Sequence, residues 1–250
     1  MLRNALTVLL TALFAFHAEA MEITVGKQTI KLPVPDGYVE LTPAMSPYYE
    51  SMQAYQSPTN ERHAIFIPED RAEAVLNGVF LELPTYMVVE STKSIQNRLL
   101  TKAEFKQLRQ ILRRDIDALL DEVQEEVTDV LSKGDEALSD ELDADISVQR
   151  GVIRALPVHR ETESMAAFSL LTPVSVAVDE GAPEDLVIAS TTIATHVRAK
   201  VLYLVVYGLE EDLEWTRGAA ADWAKAVIAA NSGADGEQDG TDASAPANTN

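Results

Sequence analysis

Four β-type segments follow one another in the second half of the chain, and they restrict its fold more than any other feature. Residues 148–158, 164–178, 186–195 and 200–207 are rich in β-branched and other apolar residues. Runs of this kind are typical of antiparallel strands, and the last two lie close enough in sequence for a hairpin across residues 196–199. We therefore expect an antiparallel sheet in this part of the protein.

Helices are predicted on both sides of this β-rich region. Thr101 and Glu104 form a capping-box pattern, in which each side chain binds the backbone amide of the other residue. Apolar residues then recur every three or four positions as far as Gly134, which is typical of a helix end. A final helix follows the strands, and its apolar stripe consists of Trp215, Ala219, Trp223 and Val227. The stripe predicts that this helix packs on the sheet.

The first hundred residues add shorter elements. A turn at Gly26 and Lys27 predicts a hairpin, and tyrosines at helical spacing in residues 46–56 predict a short helix. Brief strands are expected at residues 64–67 and 79–89. The whole order predicts an α+β fold: an antiparallel β-sheet flanked by helices, with one long charged helix in the middle and a C-terminal helix packed on the sheet.

The two ends of the chain differ from the rest in composition. Residues 1–20 have the features of a signal peptide, with a cationic start, a short apolar run and small residues at the cleavage point near Ala20. An uncleaved N-terminal anchor is the alternative. Residues 21–231 are predicted to form a single α+β domain, and residues 232–250 a disordered polar tail. We expect a periplasmic or secreted protein with no stable membrane insertion after cleavage.

The composition narrows the classes of function. The chain has no cysteine, so disulfides, thiolate metal sites and cysteine nucleophiles are absent. Its formal net charge of -20 at pH 7 opposes binding to nucleic acids and to anionic lipid surfaces, because both require clustered Lys and Arg. We expect no nucleic acid among its partners.

The order of elements resembles the PsbP-like fold, an α/β sandwich seen in a subunit of an oxygen-evolving complex and in a Ran-binding import factor. Three stretches resemble a group of exported bacterial proteins of unassigned function: Leu-Pro-Val-Pro-Asp-Gly-Tyr at 32–38, Pro-Thr-Asn-Glu-Arg at 58–62, and the late hairpin that leads to residues 213–215 and Trp223. The resemblance spans most of residues 22–231. It implies an accessory role in binding proteins rather than a chemistry, and it implies a glycine before Lys200, where this chain has Ala199.

Catalytic and cofactor motifs are missing from the sequence. The histidines His63, His159 and His196 are widely spaced, and His196 is expected in a solvated turn. Neither a Gly-x-Ser-x-Gly elbow nor a Gly-rich phosphate loop occurs, and the acidic stretches at 143–154 and 235–246 do not satisfy the calcium-loop pattern. We predict no catalytic residue, cofactor or metal. The alternative is a small periplasmic hydrolase or metal-dependent enzyme with a non-local site, in which a histidine would meet a serine or two carboxylates.

The long helix divides its charges along its length. From residue 93 to 114 every charged residue except Glu104 is a cation, and from residue 115 to 145 every charged residue except Lys133 is a carboxylate. Cations at a helix start and anions at its end oppose the helix dipole by about 0.3–1 kcal/mol per exposed charge. A compensating interaction is therefore expected.

This charge division makes the helix a candidate protein-docking surface. Two copies laid antiparallel would match the basic half of one to the acidic half of the other, so a protein partner or a self-dimer is predicted, while a solvated face with no binding role is the alternative. The candidate docking residues are Lys102, Lys106, Arg109, Arg113, Asp121, Glu125 and Asp129. The function predicted from the sequence is that of an exported accessory or binding protein that acts through protein–protein contacts. Any ligand groove is expected near the tyrosine-rich helix of residues 46–56.

Overall fold

The computed structural model describes residues 20–79, 85–142, 146–179 and 181–233, and of residues 117, 121–127 and 140–142 it describes the backbone alone. Within these residues the chain forms ten strands, four α-helices and two short 3₁₀ helices. The strands are β1 (Ala20–Val25), β2 (Gln28–Pro33), β3 (Tyr38–Glu40), β4 (Asn60–Pro68), β5 (Tyr86–Thr92), β6 (Ile146–Arg150), β7 (Arg154–Glu161), β8 (Met165–Val178), β9 (Glu184–Val197) and β10 (Lys200–Leu209). The α-helices are α1 (Tyr48–Ala54), α2 (Glu69–Leu76), α3 (Lys102–Leu142) and α4 (Leu213–Asn231), and the 3₁₀ helices span Pro43–Met45 and Glu210–Asp212.

Antiparallel pairing joins eight of these strands into one sheet. Their order is β3-β4-β5-β10-β9-β8-β6, and β7 pairs with the same edge of β8 as β6 does, further towards the start of β8. The hairpin of β1 and β2 is a separate two-stranded sheet. The predicted α+β class, the antiparallel sheet and the packed C-terminal helix are confirmed.

The β1–β2 hairpin and α4 cover one face of the sheet. Trp223 of α4 is 4% exposed and lies edge-on against Phe66 of β4, with the ring centroids 5.6 Å apart. Its indole Nε1 donates a hydrogen bond to the Pro33 carbonyl of β2 at 2.9 Å, so the buried ring also satisfies its polar atom. Val227 is fully buried on the same stripe, whereas Trp215, at the start of the predicted stripe, is 42% exposed.

The other face of the sheet is covered by α1, α2 and α3. Tyr48 of α1 and Val75 of α2 pack in a buried cluster with Val205 of β10. Phe105 of α3 packs in a neighbouring cluster with Ala194 of β9. The central strands are therefore buried on both faces, as the near-continuous apolar run of β10 requires.

Several boundaries differ from the predictions. The predicted strand at 148–158 is two strands, because the chain bends at Gly151, whose amide donates to the Pro173 carbonyl at 2.8 Å. The long helix does not end at Gly134 but continues to Leu142. Of the predicted strand at 79–89, residues 80–84 lie outside the described residues, as do most of the predicted signal peptide and of the predicted C-terminal tail.

The predicted hairpin between the last two strands is confirmed, and its turn is held from outside. Arg198 and Ala199 both have positive φ, 49° and 57°, in a two-residue turn that favours Gly or Asn. The Ala199 carbonyl accepts a hydrogen bond from the Leu100 amide at 2.8 Å. The adjacent Lys200 is 2% exposed, and its Nζ donates to two carbonyls of the segment before α3, at 2.6 and 2.9 Å. These contacts fix the turn although alanine replaces the glycine that the family resemblance implies.

Asn231 connects α4 to the hairpin and provides a test of this arrangement. Its Nδ2 donates to the carbonyls of Lys31 and Val227, both at 2.8 Å, and its Oδ1 accepts the Lys31 amide at 3.0 Å. Asn231→Ala leaves these groups without their partner, so we expect the free energy of unfolding to fall by about 1–3 kcal/mol, measured by urea denaturation.

The neighbouring Ser232→Ala is the control, because it removes only an exposed hydroxyl that donates to the Ile228 carbonyl. We expect its effect to stay within about 0.5 kcal/mol. Equal effects of the two substitutions would contradict the role of Asn231 as the connection between α4 and the hairpin.

Candidate protein-docking surface

The first turn of α3 is closed by the predicted capping box, and the residues that follow pack on the sheet. Thr101 Oγ1 accepts the Glu104 amide at 3.2 Å, and Glu104 Oε2 accepts the Thr101 amide at 2.8 Å. The hydrogen bond from the Thr101 amide is the main cause that lowers the pKa of the Glu104 carboxyl. One turn later, Phe105 is fully buried, and Leu112 is 7% exposed. The start of α3 therefore cannot move without exposing core side chains.

The backbone of α3 departs from helical geometry at one residue. Asp115 has φ −130° and ψ 23° and divides the helix into residues 102–114 and 116–142, here called the basic segment and the acidic segment. Arg113 and Arg114 thus stand at the end of the basic segment, and Asp115 stands immediately before the acidic one. These signs suit the two helix ends that meet at the break. The break therefore coincides with the change of charge sign along α3.

Two of the predicted docking residues lie free on the basic segment. Lys102 and Lys106 are exposed, and no described carboxylate lies within the 4.0 Å ion-pair distance of either amine. Arg113 is 57% exposed, with its Nη1 3.5 Å from Glu161 Oε2. The exposed cations of this segment are thus available to an acidic surface of another molecule.

Arg109 has a different role, because it binds within the chain. Its Nη1 donates to Glu161 Oε1 at 2.8 Å and to the Thr162 carbonyl at 2.6 Å, and its side chain is 12% exposed. The guanidinium also lies over the Phe105 ring, 5.8 Å from the centroid. Its buried Nε has no hydrogen-bond partner among the described residues. Arg109 therefore anchors the basic segment to β7 instead of presenting a charge to solvent.

The acidic segment is anchored near its end by Gly134 and Asp135. Gly134 is buried against the Tyr55 ring, which a Cβ at position 134 would overlap. The Tyr55 hydroxyl donates to Asp135 Oδ1 at 3.1 Å, and Arg150 donates to both Asp135 oxygens at 2.6 and 2.7 Å. Burial and then the Asp135 charge raise the pKa of Tyr55. The acidic segment is thus joined to α1 and to β6.

The remaining predicted docking residues lie on the acidic segment. Asp129 is 74% exposed and pairs with Lys133 one turn later at 3.3 Å, a contact of little energetic weight in water. Asp121 and Glu125 lie on the helical backbone, and their side chains are outside what the structure describes. The structure thus separates the seven predicted residues along α3, with Arg109 in an intramolecular contact.

The distant partners that hold α3 in place, Glu161 and Tyr55, are not indicated by the sequence near Arg109 and Asp135. Glu161 is 52 residues away from Arg109, and Tyr55 is 80 residues away from Asp135. Charge and aromatic character alone do not identify such partners. Gly134 was the available clue, because a glycine inside a helical pattern also marks a close approach of another element.

Tyr48 of the predicted groove region packs against further tyrosines in the interior. Tyr48 is 9% exposed, and the rings of Tyr86 and Tyr207 are stacked beneath α1 with centroids 4.3 Å apart. Burial raises the pKa of Tyr207 to about 12. Arg62 lies beside them, 8% exposed and 3.0 Å from Glu90 Oε1, and it donates to two carbonyls at the end of α1. This region holds α1 on the sheet.

The histidines lie apart from one another. The His63 Nε2 is 2.9 Å from Ser91 Oγ, but Ser91 is 1% exposed, so a substrate cannot reach this hydroxyl. His196 was expected in a solvated turn, and that expectation is wrong: its ring stacks on Phe105 and its Nε2 contacts the Leu100 carbonyl at 2.8 Å. Among the described side chains, no group of three or more His, Asp or Glu could hold a metal ion.

No protein-family model matches the sequence, and no curated protein is significantly similar to it. In the part of the chain that the structure describes, no helix combines the length and the apolar character that a membrane crossing requires.

The contact between Gly134 and Tyr55 predicts opposite effects of one substitution at two helical glycines. Gly134→Ala gains helix propensity but forces the new methyl group into the Tyr55 ring, so we expect a loss of about 1–3 kcal/mol in the free energy of unfolding. Gly218→Ala in α4 meets nothing within 4 Å, so we expect a gain of about 0.5–1 kcal/mol. Urea denaturation measures both. A stabilising effect at both positions would contradict the packing of α3 on α1.

The environment of His63 predicts a pH dependence. Burial lowers its pKa, while the charges of Glu61 and Glu90 oppose the shift. The folded protein then binds this proton less readily than the unfolded chain, so the contribution to stability is full above the ordinary histidine pKa of about 6.5 and declines below it. We expect the ring resonances of His63 to titrate at lower pH in the folded protein than in urea, as measured by NMR. A midpoint equal to or above that of the unfolded chain would contradict this.

Proposed function

We propose that this protein is an exported accessory protein that binds another protein through the basic segment of α3. The observation that carries the proposal is the fixed display of cations on an otherwise acidic chain: Lys102, Lys106, Arg113 and Arg114 are exposed on a helix whose opposite side is buried. The signal peptide predicted in residues 1–20 and the sequence resemblance to the PsbP-like group support an accessory role in the periplasm or outside the cell.

The rigidity of the segment favours binding over a purely solvated face. Phe105 and Leu112 fix it to the core, and the Arg109–Glu161 pair fixes it to β7. A surface that is already ordered loses little conformational entropy on binding. Its cations therefore meet a partner in a defined arrangement.

The partner must present carboxylates to this surface. A chain with a formal net charge of -20 repels other acidic proteins at long range, but screening limits that repulsion to about 8 Å at physiological salt. Contact between a basic segment and an acidic surface is then attractive locally. The acidic segment of a second copy meets this requirement, and so does an acidic surface of a different protein.

Site-specific photo-crosslinking in envelope fractions of the exporting cell tests the proposal. A photoreactive residue at the exposed position Gln107, within the basic segment, should crosslink to a partner. The yield of crosslinked product should fall when irradiation is carried out at high salt. Lys102→Glu with Lys106→Glu should reduce the crosslinked product by about tenfold or more, because each reversal replaces attraction by repulsion. A product of twice the protein's mass would identify a second copy as the partner.

Two controls distinguish binding at α3 from non-specific binding. The photoreactive residue is moved to Thr29, exposed on β2, and the charge reversal is moved to Lys27 and Lys31, both exposed on the hairpin. Crosslinking should be absent from the first control and unchanged in the second. Equal crosslinking from positions 107 and 29, or a product that resists reversal of Lys102 and Lys106, would contradict the proposal.

A further inference from the structure

Strand β9 extends beyond the strand that pairs with it. β10 ends at Leu209, which is paired with Ile188, but β9 begins at Glu184. Residues 184–187 are paired with β8 on one side only. On the other side the chain leaves the sheet in the 3₁₀ helix Glu210–Asp212. Residues 184–187 therefore have no partner among the described strands on the side where β10 would have continued, and residues 210–211 lie across a groove from them.

The direction of the backbone groups at this edge follows from the hairpin. Val197 and Lys200 flank a two-residue turn, so they form a hydrogen-bonded pair, and the groups of every second residue of β9 then point towards β10. The register is continuous from Val197 to Ile188, which places the N–H and C=O of Val187 and Asp185 on that side. Among the described residues, no backbone hydrogen bond joins these groups to the chain that follows β10. They form a ready template for another strand.

A shallow groove lies beside the uncovered edge. Its volume is about 430 Å³, and it lies between residues 185–187 and residues 209–211. A second groove of about 510 Å³ shares residues 185–187 and continues over Pro173 and Gly151. The carbon atoms of Val187 and Pro173 provide apolar contacts there. An added strand would thus find room for its side chains as well as partners for its backbone.

The charges around the edge define the chemistry of the added strand. Carboxylates of Glu184, Asp185, Glu210 and Glu211 surround it, all on exposed residues. Among the described cations, Arg154 is the one that lies beside these carboxylates, with its Nη2 3.9 Å from Glu210 Oε1. Charged side chains protect such an edge from a copy of itself, because like charges repel. The same carboxylates attract a segment that carries Lys or Arg.

We propose that an extended, cationic segment of another protein adds to the sheet at residues 184–187 of β9, in the position that β10 leaves empty. Its backbone pairs with Val187 and Asp185, and its lysine or arginine side chains lie near Glu210 and Glu211. The mode is strand addition, in which the backbone provides affinity and the side chains provide specificity. This site is separate from the basic segment of α3 and attracts a partner of the opposite charge.

Fluorescence anisotropy with defined peptides tests this directly. The probe is a labelled peptide of alternating lysine and valine, Lys-Val-Lys-Val-Lys-Val, titrated with the full-length protein. We expect binding with a dissociation constant below about 1 mM. The same peptide with N-methyl groups on every backbone amide has no N–H to donate from either edge, and we expect its affinity to fall by about tenfold or more. The acidic analogue Glu-Val-Glu-Val-Glu-Val should not bind.

Protein variants locate the site. Val187→Pro removes the N–H that faces away from β8 and leaves the hydrogen bonds to β8 in place. The double variant Glu210→Lys, Glu211→Lys reverses the charge beside the edge. Each variant should lower the affinity for the lysine–valine peptide by about tenfold. The control variant Asp36→Lys, Glu73→Lys reverses two exposed charges elsewhere and should leave that affinity unchanged. Because the N-methylated peptide is tested on the unaltered protein, a folding defect of Val187→Pro does not affect the result.

The outcomes that overturn the proposal are equally defined. Absence of binding by the lysine–valine peptide overturns it, and so does equal binding of the N-methylated form, which would indicate attraction by charge alone. Lys102→Glu with Lys106→Glu should not weaken peptide binding. The two sites can therefore fail independently.

Discussion

The burial of β9 and β10 on both faces determines where the helices of this protein lie. Ile193 and Leu204 face the hairpin and α4, whereas Ala194 and Val205 face α3 and α1. Strands that are apolar on both sides need a cover on each, since every buried side chain of this size contributes about 1.5–3 kcal/mol when it leaves water. The basic segment of α3 is part of that cover. Apart from Arg109, its cations point outward because Phe105 and Leu112 point inward.

The same constraint links the fold to the proposed binding surfaces. β10 ends at Leu209, and β9 and β8 continue without it, which leaves residues 184–187 without a described strand on that side and with acidic residues around them. α3 presents cations at one place, and the end of β9 presents carboxylates at another. The molecule thus offers two surfaces of opposite charge, each held by contacts with the core.

Much of this fold was predictable from local patterns, and the exceptions have a common physical cause. The capping box of Thr101 and Glu104, the hairpin between the last two strands and the buried stripe of Trp223 and Val227 depend on neighbours in sequence, and the structure contains all three. The hairpin turn is shorter than predicted, at residues 198–199 instead of 196–199, and Trp215 of the predicted stripe is 42% exposed. Gly134 was misinterpreted because a glycine suits both a helix end and a close contact, and the contact partner, Tyr55, is distant in the chain. Arg109 was placed on the docking surface for the same reason, since nothing near it in sequence indicates Glu161.

The break at Asp115 lies where the sign of the charges on α3 changes, and the division of α3 into a basic and an acidic segment depends on it. The three-bond coupling between the amide and α protons of each residue, measured by NMR on the folded protein, reports φ directly. With φ at −130°, Asp115 is predicted to show a large coupling constant, whereas the helical residues before and after it show small ones. Small couplings through residues 113–117 would describe one unbroken helix and would contradict the division of α3 into a basic and an acidic segment.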